Sequence, residues 1–232
     1  MDSITVKVIR KKQEAIDIAS FELAREDGAP LPAFSAGSHV DVQIPGGLTR
    51  QYSLCNDAGE QHRYRIAVLR DPASRGGSIG MHEAVNEGDV ITISTPKNHF
   101  PLEHATTTLL FAGGIGVTPI LSMAQRLAVT GADFSMHYCS RSQERTAFHS
   151  EITASPFAGK VQFHFDDGDA AQKLDLLKVL GAPEAGKHLY VCGPTGFINF
   201  VTSTAKTAGW APGNIHLEYF GAAPQDTSND GS

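Results

Sequence analysis

Cysteine is scarce in this 232-residue chain. Its three cysteines, Cys55, Cys139 and Cys192, are odd in number and far apart. That excludes an internal cluster needing four thiolates and suits reduced thiols in a cytosol. Long hydrophobic runs are missing too: nothing approaches the ~20 apolar residues of a transmembrane helix, so no membrane contact is expected. The N-terminus, Met1-Asp2-Ser3-Ile4-Thr5, lacks the basic-then-apolar order of a secretory signal, and a cytoplasmic location is expected. Lysine and arginine form no extended basic cluster and the formal net charge is −6, which argues against nucleic acid as a partner. The ten histidines show no metal-ligand spacing, and His99, His164 and His216 read as surface or packing residues. Asp166, Asp167 and Asp169 read as a solvated loop. H-E-x-x-H and Walker A motifs are absent.

What is present divides into two halves, and the length suits two domains of roughly 100 residues each. In residues 1–102, Ile4–Arg10, Val40–Ile44, Arg63–Arg70 and Val90–Ser94 read as short strands separated by turn signals such as Pro45-Gly46-Gly47. Strands in this pattern predict a small antiparallel β-barrel, with one short helix capped by Ser78 and running toward Val85. In residues 103–222 strands alternate with helices. Thr107–Ala112 is a compact apolar run of the buried parallel type. The helix after it admits Pro119 in its first turn and repeats Ile120, Met123, Ala124 and Leu127 at helical spacing until Gly131. Strands are expected at Phe134–Cys139, Val161–Phe165, His188–Cys192 and Ile215–Tyr219, with helices near Leu174–Leu180 and Phe197–Ala208. The result is a doubly wound parallel α/β sheet. Residues 223–232 have linker composition and are expected to form a flexible tail.

Four motifs carry the chemistry. Arg50 of Arg50-Gln51-Tyr52-Ser53 offers a planar, permanently charged fork suited to a phosphate. Tyr52 adds an aromatic face, and Ser53 a hydroxyl for a ring nitrogen or carbonyl. Gly76-Gly77-Ser78, beside Arg75, supplies flexible backbone leading into a helix start, a second phosphate cradle. Gly113-Gly114-Ile115-Gly116 falls short of G-x-G-x-x-G because residue 119 is proline. It nevertheless joins an apolar strand to a helix N-terminus, where oriented N–H groups attract a pyrophosphate, and Thr118 follows with a hydroxyl. Cys192 in Val191-Cys192-Gly193-Pro194 ends an apolar strand. A buried structural thiol is the commoner fate there, yet strand ends of open α/β sheets are where ligands bind.

Together these motifs resemble the ferredoxin–NADP⁺ reductase superfamily over about residues 5–222. The likeness is closest to its phthalate dioxygenase reductase branch, which includes vanillate demethylase reductases. Arg50–Asp57, Ile66–Arg70, Arg75–Ser78, Tyr138–Arg141, Phe165–Gly168 and His216–Gly221 carry the branch likeness. The resemblance implies FMN (alternatively FAD) in the barrel and NADH on the parallel sheet, with hydride transfer between them and single electrons passed outward. It places Arg50, Gly76, Gly77 and Ser78 at the flavin phosphate, Tyr52 against the ring system and Ser53 near flavin N5. Ala67, Val68 and Arg70 join the same site. Gly114, Gly116, Thr118, Cys192, Gly193 and Pro194 would hold the nucleotide, Ser140 and Arg141 its adenosine half. Phe220 would cover the flavin and Glu218 tune the flavin–nicotinamide contact, so Ser53, Cys192 and Glu218 are the expected catalytic residues.

The implied partners are an iron–sulfur protein or domain and a Rieske-type oxygenase acting on an aromatic compound. Branch members usually continue into a ferredoxin domain with C-x₄-C-x₂-C spacing. No such run follows Phe220-Gly221, so a [2Fe-2S] cluster is not expected within this chain: it is either cut at the linker or a natural short reductase. Alternatives are an FAD-containing NADPH ferredoxin or flavin reductase, and a non-catalytic regulatory subunit. The latter has little need of Arg50, Tyr52, Ser53 and Cys192 together.

Overall fold

The computed structural model describes residues 2–220; the expected tail at 223–232 lies outside them. The first half is a six-stranded antiparallel sheet of β1 (Ser3–Ala15), β2 (Ile18–Ala24), β3 (His39–Ile44), β4 (Leu48–Ser53), β5 (Tyr64–Leu69) and β6 (Val90–Ser94), in the order β4-β3-β6-β1-β2-β5. It is barrel-like. Alternation drives it: Ile4, Val6 and Val8 of β1, Phe21 and Leu23 of β2, and Val40 and Val42 of β3 point into one apolar core, each fully buried side chain contributing about 1.5–3 kcal/mol. The edge strands β4 and β5 share no hydrogen-bonded register, which leaves a seam between them.

Helix α1 (Gly77–Ala84) lies between β5 and β6. Ser78 does not cap it, contrary to the sequence expectation. The N-cap is Gly76, at a φ of 91° that favours glycine, and Ser74 Oγ rather than an N-cap side chain accepts the Ser78 N–H at 3.3 Å. The Ser78 hydroxyl instead accepts the Asp71 N–H at 3.0 Å. At the other end Lys11 Nζ donates to the carbonyls of His82 (2.6 Å) and Val85 (2.7 Å), satisfying acceptors the helix leaves open.

The second half orders its strands β11-β10-β7-β8-β9, all parallel. They are β7 (Thr107–Gly113), β8 (Phe134–Ser140), β9 (Val161–Phe165), β10 (Lys187–Gly193) and β11 (Ile215–Tyr219), joined through α2 (Val117–Val129), α3 (His149–Thr153), α4 (Leu176–Leu180) and α5 (Thr195–Thr207). One face packs on α4 and α5 through Phe111, Val191, Ile198 and Val201. The other packs on α2, in a cluster that also includes Ile18, Cys55, Ala67 and Phe100 of the first half. Residues Val117–Ala124 of α2 are therefore buried without a break, because the sheet covers one side and the barrel the other. Across β8 and β9, His137 Nδ1 meets His164 Nε2 at 3.0 Å, and His164 Nδ1 donates to the Gln172 carbonyl at 2.6 Å. Both rings are thus buried, hydrogen-bonded packing residues.

From β7 the chain steps to β8 on one side, and from β9 it crosses back to β10 on the other. The switch in direction falls between β7 and β10, where ligands bind at the carboxyl ends of the strands. Glycine makes this junction possible. A Cβ on Gly116 would stand 2.2 Å from the Cys192 carbonyl oxygen, and one on Gly193 would stand 3.0 Å from Gly113 Cα.

Candidate functional site

The seam between β4 and β5 opens toward the switch point, and a cavity of about 500 Å³ occupies it. β4 contributes Thr49, Arg50, Gln51, Tyr52 and Ser53; β5 contributes Ala67, Val68 and Leu69; the turn after β7 contributes Ile115 and the start of α2 Thr118; the end of β11 contributes Glu218 and Tyr219, followed by Phe220. A second, more open hollow of about 700 Å³ shares Arg50, Tyr52, Ser78 and Phe220 and extends to Ser74 and Arg75. The wall is graded, with a cationic outer end at Arg50 and Arg75 and an apolar inner end at Ala67, Val68 and Ile115.

Arg50 donates to the Thr49 carbonyl at 2.8 Å and forms no ion pair with a described carboxylate. Its stem packs on α1: a Cβ on Gly77 would stand 2.8 Å from Arg50 Nε. Glycine at 77 thus lets the guanidinium lie across the helix N-terminus, whose positive dipole end also favours an anion. Tyr52 is largely covered, and burial pushes its phenol up to about 12. Ser53 is buried at 5% exposure with its side chain on the cavity wall.

Two cavity residues hold buried polar atoms without a partner among the described residues, Glu218 Oε2 and His39 Nε2. Such orphans cost free energy unless a ligand answers them. His39 sits opposite Ser53 in the β3–β4 register. Burial first, then the neighbouring His99, holds it below the usual histidine range, so it is neutral at pH 7.

Burial lifts the Glu218 carboxyl from 4.5 to about 7. The folded state thus keeps a proton that the unfolded chain has released, and stability falls as pH rises from about 4.5 to about 7, then levels off. In flavin-free protein, Glu218→Gln is expected to unfold later than the parent at pH 8, by on the order of 2 kcal/mol, and together with it at pH 4.5. An equal difference at both pH values, measured by urea denaturation, would contradict this electrostatic origin.

Of the residues predicted from sequence, the structure gathers Arg50, Tyr52, Ser53, Ala67, Val68, Ser78, Thr118, Glu218 and Phe220 around one cavity. Gly76, Gly77, Gly114 and Gly116 shape its two turns. Other residues stand apart. Arg70 pairs with Glu83 at 2.7 Å and is off the cavity wall. Cys192 is fully buried behind the Gly116 turn, in register with Ala112 and Glu218, and burial pushes its thiol up. Gly193 and Pro194 close the same strand end, between β10 and α5. Ser140 is buried with its hydroxyl 2.6 Å from Thr146 Oγ1, while Arg141 is exposed beside it. Sequence reading missed His39, Thr49, Asp71 and Tyr219 on the wall; a histidine one register step from a motif serine carries no signal until the strands are paired.

A barrel seam with an arginine at a helix N-terminus, buried polar groups without partners among the described residues and an apolar inner end fits a flavin. The adjacent switch point fits a dinucleotide. Comparison with known proteins agrees. A family model described as dimethylamine monooxygenase subunit DmmA-like, N-terminal domain, matches residues 97–215. A vanillate O-demethylase oxidoreductase of Pseudomonas putida is 53% identical over 230 residues, 99% of this chain and 72% of that protein. A phthalate dioxygenase reductase of Burkholderia cepacia is 42% identical over 221 residues, 94% of this chain and 68% of that protein. A solved phthalate dioxygenase reductase, described as a modular structure for electron transfer from pyridine nucleotides to [2Fe-2S], superposes with a TM-score of 0.89 at 41% identity. The match covers 97% of this chain and 70% of that one. The chain belongs to this family of pyridine-nucleotide-dependent flavoprotein oxidoreductases, the reductase components of oxygenases.

Proposed function

We propose that residues 1–102 bind FMN in the β4–β5 seam, that residues 103–222 present NADH to it, and that electrons leave for an iron–sulfur centre serving a Rieske-type oxygenase. The observation that carries this reading is the shared cavity, whose walls come from both halves and whose cationic end is Arg50 of β4, lying against the N-terminus of α1. Arg50, Gly76, Gly77 and Ser78 would hold the phosphate, Tyr52 and Ser53 the ring system, and Thr118 and Glu218 the nicotinamide side. Cys192 supports that side from beneath the Gly116 turn. A bound flavin accepts an electron pair and returns single electrons. The protein's part is to bind, align and exclude water: Phe220 lies at the rim, and Glu218, near its midpoint at neutral pH, can hold a proton at the cavity wall. The three cysteines are free thiols, which suits a cytoplasmic setting.

FMN rather than FAD follows from the single cationic end, which matches one terminal phosphate. Acid release of the flavin followed by chromatography tests it, and recovered FAD would overturn the choice.

NADH rather than NADPH follows from the loop after β9. The Asp166 N–H donates to the Ser140 carbonyl (3.0 Å) and the Asp167 N–H to the Arg141 carbonyl (3.2 Å), so two exposed aspartates border the β8 end that faces the adenosine half. Of the nearby cations, Arg145 leans toward Asp17 at 3.4 Å and Lys173 Nζ is held on the Asp166 carbonyl. A 2′-phosphate would meet like charge there. NADH is expected to exceed NADPH in kcat/KM by at least about tenfold, roughly 1.4 kcal/mol, and Asp167→Asn to narrow the gap. Equal efficiencies in the parent would show that Arg141 accepts the phosphate.

A further inference from the structure

We propose that Arg65, Phe148 and Glu151 form a clasp that sets how the nucleotide half sits on the flavin half. Arg65 and Glu151 are then positioning residues for ring stacking, with no contact to either ligand. The proposal rests on the β4–β5 cavity being where the two rings meet.

Arg65 lies on β5, two residues before Ala67 on the cavity wall. Its side chain is 7% exposed and crosses to the other half, where its fork meets Glu151 of α3 through two bonds of 2.8 Å each. The guanidinium carbon stands 4.6 Å from the centre of the Phe148 ring. Phe148 holds a φ of 63°, one of two non-glycine residues with positive φ among those described. It is 2% exposed, so packing rather than local preference keeps it there.

The barrel side of the contact is equally tied. Arg65 N–H donates to Asn56 Oδ1 (2.9 Å), and the Asn56 carbonyl accepts from Ser122 of α2 (3.0 Å). Ser122 lies one helical turn after Thr118, on the same face of α2, and Thr118 lines the cavity. One continuous set of directional contacts therefore runs from α3 through β5 and Asn56 to the helix that borders the nicotinamide side. Apolar surfaces slide over one another at little cost, whereas a bidentate fork admits one orientation. A displacement of about 1 Å between reacting groups slows transfer by about a hundredfold.

The test uses the flavin-loaded protein. Glu151→Asp keeps the charge and withdraws the carboxylate by one methylene. At saturating NADH its flavin reduction is expected to slow about ten- to hundredfold, with flavin content unchanged and NAD⁺ affinity within about twofold. The long-wavelength absorbance of stacked nicotinamide and flavin should weaken in parallel. In flavin-free protein the Ile152 amide, which bonds the Phe148 carbonyl at 2.9 Å, should exchange faster. The double variant Arg65→Met with Glu151→Leu removes both charges; it should recover thermal stability and remain slow. A parental rate in Glu151→Asp, or a double variant that regains speed along with stability, would overturn the proposal. If the double variant does not fold, the aspartate variant decides alone. A parent protein that binds flavin but is not reduced by NADH sinks the underlying reading instead.

Discussion

Gly116→Ala is expected to cost about 3 kcal/mol or more of stability and to weaken NADH binding, because overpacking against backbone leaves no side chain to yield. The added carbon would lie 2.2 Å from the Cys192 carbonyl oxygen, 2.4 Å from its carbon and 2.6 Å from Gly193 N. The β7 turn or the end of β10 must retreat, and both border the switch point. Gly114→Ala is the matched control. Its Cβ would meet nothing within 4 Å, and its φ of 54° imposes only backbone strain, about 1–2 kcal/mol. Urea denaturation of the two variants separates close approach from turn flexibility. Equal losses would mean that the β7–β10 contact is not what demands glycine at 116.

Arg50→Ala is expected to release most of the flavin on dialysis. A charge-assisted contact to phosphate contributes about 1.5–3 kcal/mol, a ten- to hundredfold change in affinity. Arg50 is available because no described carboxylate claims it and Gly77 lets it lie over the N-terminus of α1. Arg70→Ala provides the contrast, since Arg70 is spent on Glu83 and its loss should leave flavin content unchanged. Full occupancy in the Arg50 variant, or equal losses in the two, would remove Arg50 from the phosphate site.

The contrast between these arginines also marks how far the sequence could be read. The family resemblance grouped Arg50 and Arg70 at one site, and only the fold showed one facing a cavity and the other a glutamate. The parallel sheet was legible because its strands are apolar runs: β9 and β11 fall where expected, and β7 extends by one residue. β2 was missed although Ala19, Phe21 and Leu23 alternate into the barrel core. Its other face is buried too, at Ile18 and Ser20, which masks the period. α3 gave no signal because it has five residues and begins after a phenylalanine in a left-handed conformation, with no side-chain cap. His39 and the raised Glu218 carboxyl depend on burial, which becomes visible only when β3, β4 and β11 converge.

In the proposed function, a flavin in the β4–β5 seam takes electrons from a nicotinamide delivered at the β7–β10 switch point. Rapid mixing of the flavin-loaded protein with NADH under anaerobic conditions, followed by visible absorbance, tests it most directly. Complete bleaching of the flavin in one exponential phase is expected, slower with NADPH at equal concentration. Protein that takes up no flavin, or holds flavin that NADH leaves oxidised, would contradict it.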